Sequence, residues 1–236
     1  MATLSDTRMT VLEIINEVRR KLGINVAATS LTYDNQTRTL LDYLNDVISE
    51  VSDYGDWKEM ILQTVVTASS SVRRYQLNVT AAVKNIHEIA WTTQPSAMRL
   101  VTINDMLRWE RITSTGQPRN WAIMGVDVSS ANPLFEVYPM PGPTENNQTF
   151  SILYYQKPSL LTTADVSAYP AFPGKLLVSG LLAKALFDEN RNASDTDYLT
   201  ERANFENMLS ETFNRFNGDS GTNTFFTPGQ GGFRRV

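Results

Sequence analysis

The stretch Leu176-Leu177-Val178-Ser179-Gly180-Leu181-Leu182-Ala183-Lys184-Ala185-Leu186-Phe187 decides the fold. Wound as a helix, it is apolar on nearly all sides, with Leu176, Leu177, Gly180, Leu181, Lys184, Ala185 and Phe187 spread around the axis. Such a helix belongs at the centre of a bundle, enclosed by others. It is too short for a bilayer, which takes roughly 20 apolar residues. Enclosing partners lie on both sides in sequence. After it, Ser194 or Asp195 opens a helix whose Tyr198, Phe205, Leu209, Phe213 and Phe216 keep one face. Near the chain start, Val11, Ile14, Ile15, Val18 and Leu22 recur at three- and four-residue steps, with Thr10 or Asp6 as cap and Gly23 as terminator. Leu40, Leu41, Leu44, Val47, Ile48, Val51 and Tyr54 trace a further helix that ends at Gly55.

Between these helices, from about Met60 to Tyr169, the pattern changes to short β-branched and aromatic runs. They are Thr64–Thr67, Tyr75–Leu77, Ile86–Trp91, Phe135–Tyr138 and Phe150–Tyr155, with Ser, Asn, Gly and Pro clusters between them. Thr102-Ile103-Asn104-Asp105-Met106, followed by Leu107 and Trp109, predicts one brief helix. The expected class is therefore α+β. A helical bundle drawn from residues 8–58 and 171–216 carries an inserted antiparallel sandwich or barrel-like domain, 59–170, and an extended tail, 217–236. Two helices alone bury too little apolar area to stand independently, which favours the insertion over two separate domains.

Composition excludes more than it selects. The chain has 236 residues, 42% of them apolar and 19% charged, no cysteine and one histidine. That rules out disulfides, thiolate chemistry and multi-histidine metal sites. The net charge of −4 gives no general case for phosphate binding. Residues 1–60 hold ten acids against six bases, whereas residues 61–170 hold seven against eight. The first twenty residues lack the uninterrupted apolar core of a signal peptide. The Asn-x-Ser/Thr matches at Asn35, Asn78, Asn147 and Asn192 accordingly read as chance, in a soluble protein made in a cytosol.

Candidate chemistry is thin. His87 alternates with its neighbours in a strand, so Glu88 points to the other face and cannot orient it as a base. Asp42, Asp46, Glu50 and Asp53 fall at helical spacing away from the leucines, the pattern of a solvated face. Asp188, Glu189, Asp195 and Asp197 surround a helix–helix turn without the spacing of a calcium loop. Gly229-Gln230-Gly231-Gly232 has no helix after it to cradle a phosphate. Arg73-Arg74-Tyr75 and Arg108-Trp109-Glu110-Arg111 pair bases with aromatics, a combination that stacks on nucleic acid or sugars but is commoner as strand surface. No enzyme, cofactor or metal is expected. From Asn217 onward periodicity vanishes, and Phe225, Phe226, Phe233, Arg234 and Arg235 stand as anchors among glycines. Such a segment orders by gripping a partner, if it orders at all.

Four stretches carry a resemblance. They are the helix pair ending in Tyr54-Gly55-Asp56-Trp57; Gly116-Gln117-Pro118-Arg119-Asn120-Trp121; Phe135-Glu136-Val137-Tyr138-Pro139-Met140-Pro141-Gly142; and Leu153-Tyr154-Tyr155-Gln156-Lys157-Pro158-Ser159-Leu160-Leu161. In this order, across residues 8 to 216, they resemble the head-to-tail connector (adaptor) proteins of tailed bacteriophages, especially the tail tubular protein A type of short-tailed phages. The resemblance implies a structural virion protein at the head–tail junction, assembled in the host cytoplasm as a ring, typically of twelve copies, beneath the portal protein. Double-stranded DNA would pass through its lumen without sequence-specific contact. The tail would anchor on the portal through Phe225, Phe226, Phe233, Arg234 and Arg235. Arg119, Trp121, Tyr138 and Met140 would meet the tail nozzle or neighbouring copies, with tail fibres a further partner. No membrane is involved in that role. A rival expectation, a tail-associated carbohydrate-binding module, would need Trp91, Trp109 and Trp121 on the surface.

Overall fold

The computed structural model describes residues 8–24, 27–80, 82–93, 96–110, 114–128, 132–190 and 195–217. Helix α1 (Val11–Lys21) starts at a reciprocal cap. The Thr10 hydroxyl accepts from the Glu13 amide, and the Glu13 carboxylate accepts from the Thr10 amide. Gly23 follows the helix with φ +78°, a left-handed turn that a side chain resists. Helix α2 (Asn35–Tyr54) is capped by Asp34. Helices α4 (Gly174–Asn190) and α5 (Thr196–Asn217) complete the bundle.

The apolar stretch is the hub. Leu176, Leu177 and Leu181 are fully buried, and α4 packs against α1, α2 and α5. Gly180 is where the fit is closest, since a Cβ there would collide with Phe205 and Val47. Gly55 also ends α2 for reasons of space. Its backbone is extended, φ −174°, and a Cβ would run into the Phe213 ring. Trp57, 2% exposed, closes this end of the bundle. Its indole donates to the Val51 carbonyl at 2.8 Å and its ring lies 5.1 Å from Phe172 and 5.2 Å from Phe213.

Among the described residues, seven strands form two sheets. β1 (Ile61–Thr67), β7 (Thr149–Gln156) and β3 (Val83–Trp91) pair antiparallel in that order. β2 (Arg74–Gln76), β6 (Pro133–Tyr138), β5 (Asn120–Val126) and β4 (Arg99–Leu100) form the second sheet. Phe150 and Ile152 from one sheet meet Phe135, Val137 and Trp121 from the other in a core separate from that of the bundle. The second sheet departs from the expected all-antiparallel pairing. β4 and β5 run parallel, because the chain between them crosses over through helix α3 (Ile103–Glu110). The linker after β7 returns along the bundle, where Asn45 clasps the backbone of Leu161 at both N–H and C=O, 2.7 and 2.9 Å. The class is α+β.

Candidate functional site

The residues tested for catalysis are occupied with structure. His87 is exposed on β3, edge-on to Tyr155 at 5.4 Å. Asp46 bonds Lys184 of α4, and Glu50 bonds Arg202 of α5 at 2.6 Å. Two acids of the α2 row thus clasp neighbouring helices, while Asp42 and Asp53 stand exposed. The bond to Glu50, and then that to Glu206, holds Arg202 above even its ordinary basicity. Arg74 reaches the buried Glu136 carboxylate at 2.6 Å, while Tyr75 fills the core between Phe135 and Phe150. No group of three or more His, Asp or Glu residues gathers as a metal site among the described residues.

The tryptophans do not form a sugar-binding platform. Trp91 and Trp121 are 2% and 1% exposed, and their indoles donate to the Pro118 and Met98 carbonyls. Trp109 is half-buried against Tyr138 at 5.1 Å. Trp121 therefore faces the core and offers no ring to a partner, a correction to its expected place among the contact residues. Arg119, Tyr138 and Met140 do share one surface. The Arg119 amide donates to the Tyr138 carbonyl at 3.0 Å, and the Gly116 amide to the Met140 carbonyl at 2.8 Å, lacing the two loops together.

At the far end of α5 the structure shows a junction that periodicity could not reveal. The Lys84 ammonium of β3 donates to the carbonyls of Ser52 and Gly55, at 2.7 and 2.6 Å, and lies 3.3 Å from Asp56. Asn85 donates to the Asp56 carboxylate, and Asn217 to the Asp56 carbonyl at 3.2 Å. Burial first, and then the Asp56 charge, pushes the Tyr155 hydroxyl above its ordinary pKa. One signal existed in the sequence. The last turn of α2 carries no basic residue, so its carbonyl end needed a cation from elsewhere. Asn217, the last described residue of α5, belongs to this junction. Phe225, Phe226, Phe233, Arg234 and Arg235 themselves lie outside the described residues.

Two grooves flank α1. One, of about 640 Å³, runs between α1 and α5 above α4, lined by Met9, Val178, Met208 and several charged or amide side chains. The other, about 610 Å³, lies along the Arg8–Ala27 side of the same helix. No described helix is long and apolar enough to cross a membrane.

No curated protein matches the chain. The family described as SU10 adaptor protein matches residues 9–230, a span that takes in the bundle, both sheets and most of the segment past α5. With its central apolar helix, strand insertion and shared loop surface, this chain belongs to the SU10 adaptor protein family of bacteriophage head-to-tail adaptors.

Proposed function

We propose that copies of this chain form a ring, of twelve subunits by the family likeness, between the portal protein and the tail nozzle. Residues 217–236 grip the portal, with Phe225, Phe226 and Phe233 filling apolar pockets and Arg234 and Arg235 meeting carboxylates. Arg119, Tyr138 and Met140 face the nozzle or a neighbouring copy, and tail fibres dock nearby. The observation that carries this reading is the family match, which runs past the end of α5 to residue 230. The chain is further proposed to be of the tail tubular protein A type, on its likeness in the four stretches quoted above. Two separate apolar cores support the proposed division into a bundle, 8–58 with 171–216, and an insertion, 59–170.

Double-stranded DNA passes through the ring by repulsion. Asp42 and Asp53 stand exposed on α2, and a ring repeats every such charge on each copy. An acidic wall releases no counterions from DNA, so nothing makes the duplex stick. A neutral or positive wall in the assembled ring would remove this part of the proposal. The anchoring is tested by deleting residues 218–236. The shortened chain is expected to keep its fold by circular dichroism and lose portal binding. Undiminished binding would show that the grip lies elsewhere.

A further inference from the structure

The groove between α1 and α5 exists because α4 is apolar nearly all round and, among the described residues, three helices, α1, α2 and α5, pack closely on it. One sector stays open. At its floor lie Val178 and Ser179, both 5% exposed, with Met9 and Met208 on the walls. Methionine is an adaptable lining that favours aromatic partners. Lys175 and Glu211 lie toward the Met9 end, and farther along the walls carry Glu17 and Glu201, with Lys21 beside them.

The direction of the groove follows from the packing. Phe187 meets Tyr198 at 5.3 Å, so α4 and α5 run antiparallel, and Met9 lies where a Cβ on Gly174 would go. The Met9 end is therefore the end where α5 finishes. From Asn217 back to Glu211 is roughly 9 Å, and from Glu211 to Glu201 roughly 15 Å, at 1.5 Å per helical residue. The 19 residues after Asn217 span up to roughly 65 Å when extended. Phe225 and Phe226 come soon enough to turn round α5 and reach the methionines. Arg234 and Arg235 then fall within reach of Glu201 and Glu17.

We propose that in the free subunit residues 218–236 of the same chain lie in this groove, with Phe225 and Phe226 against Met9 and Met208. The two arginines lie at the carboxylate end. The tail completes the enclosure of α4 from its own chain, and a portal must compete for it. The seat concerns the subunit before assembly and stands whatever the tail grips afterwards.

The absence of cysteine makes the test clean. Full-length chain carrying Asn204→Cys and Gly232→Cys, both substitutions outside the core, is oxidised alongside a control pair, Thr39→Cys with Gly232→Cys, whose first site is on α2. A tethered segment sees its site at an effective concentration on the order of millimolar. The expected result is an intrachain disulfide in the first pair, with a rate independent of protein concentration and about tenfold above the control. Adding Glu201→Lys and Met208→Asp should bring that rate down to the control. Equal rates in the two pairs overturn the proposal. So does a disulfide that forms only between chains, which would assign the groove to a neighbouring copy's tail.

Discussion

At the scale of single residues, the strongest constraints come from atoms that have nowhere else to go. Lys84 is one. Its ammonium supplies the positive charge that the carbonyl end of α2 lacks locally, and does so from a strand far away in sequence. Lys84→Met keeps the stem and removes the donors, and it should cost about 1.5–3 kcal/mol in urea unfolding, the usual worth of hydrogen bonds to a charged group. Arg99→Met, exposed on β4, should change stability by less than about 0.5 kcal/mol. Equal effects would mean that the Lys84 contact is ornamental. Gly180 is the apolar counterpart. Gly180→Ala drives a methyl group into Phe205 and Val47 and should cost about 1–3 kcal/mol, as overpacking does. A stabilised Gly180→Ala protein would show that the bundle has slack there. Neither residue announced its role in sequence. A glycine in an apolar helix and a lysine in a strand become informative only when their neighbours are known.

At the scale of elements, local pattern and outcome agree where one face decides the structure. The leucine and valine steps of α1 and α2, the Thr10 cap and the Thr102 start of α3 follow from 3.6-residue spacing and capping chemistry. β4 escaped because two residues carry no period, and its parallel pairing depends on a crossover that alternation cannot encode. A turn-flanking tryptophan such as Trp121 looks the same in sequence whether it faces a partner or the core, and here it is buried. Helix capping also sets the acid response. Asp34 bonds the Thr37 hydroxyl and amide and then Arg19, which holds its pKa below the ordinary 3.8. A carboxylate depressed in the folded state contributes stability above that value and loses it as pH falls through the lower, folded value. Denaturant midpoints should therefore fall as pH drops below about 4. Asp34→Asn should already be less stable at neutral pH and show a shallower acid slope. An unchanged slope would relieve Asp34 of this role, leaving Glu13 and Asp165, whose pKa values are lowered in the same way by Thr10 and Thr162.

At the scale of the whole molecule, the helical ends and the strand insertion meet at Asp56, where α2 ends, β3 braces and α5 delivers the tail. Helix α4 holds the bundle together, and the laced loops around Arg119 and Tyr138 belong to the strand region. The α+β organisation was readable from the alternation of periods along the chain. The surfaces were not, since docking residues obey the partner's shape and leave no period of their own. The proposed role depends on assembly through the terminal segment on a portal. Native mass measurement of the full-length chain, alone and mixed with its portal protein, tests it most directly. The expected result is a ring of adaptor copies that forms only with portal and is lost when residues 218–236 are removed. A chain that stays unassembled in the presence of portal, or a ring that forms equally well without the tail, would contradict it.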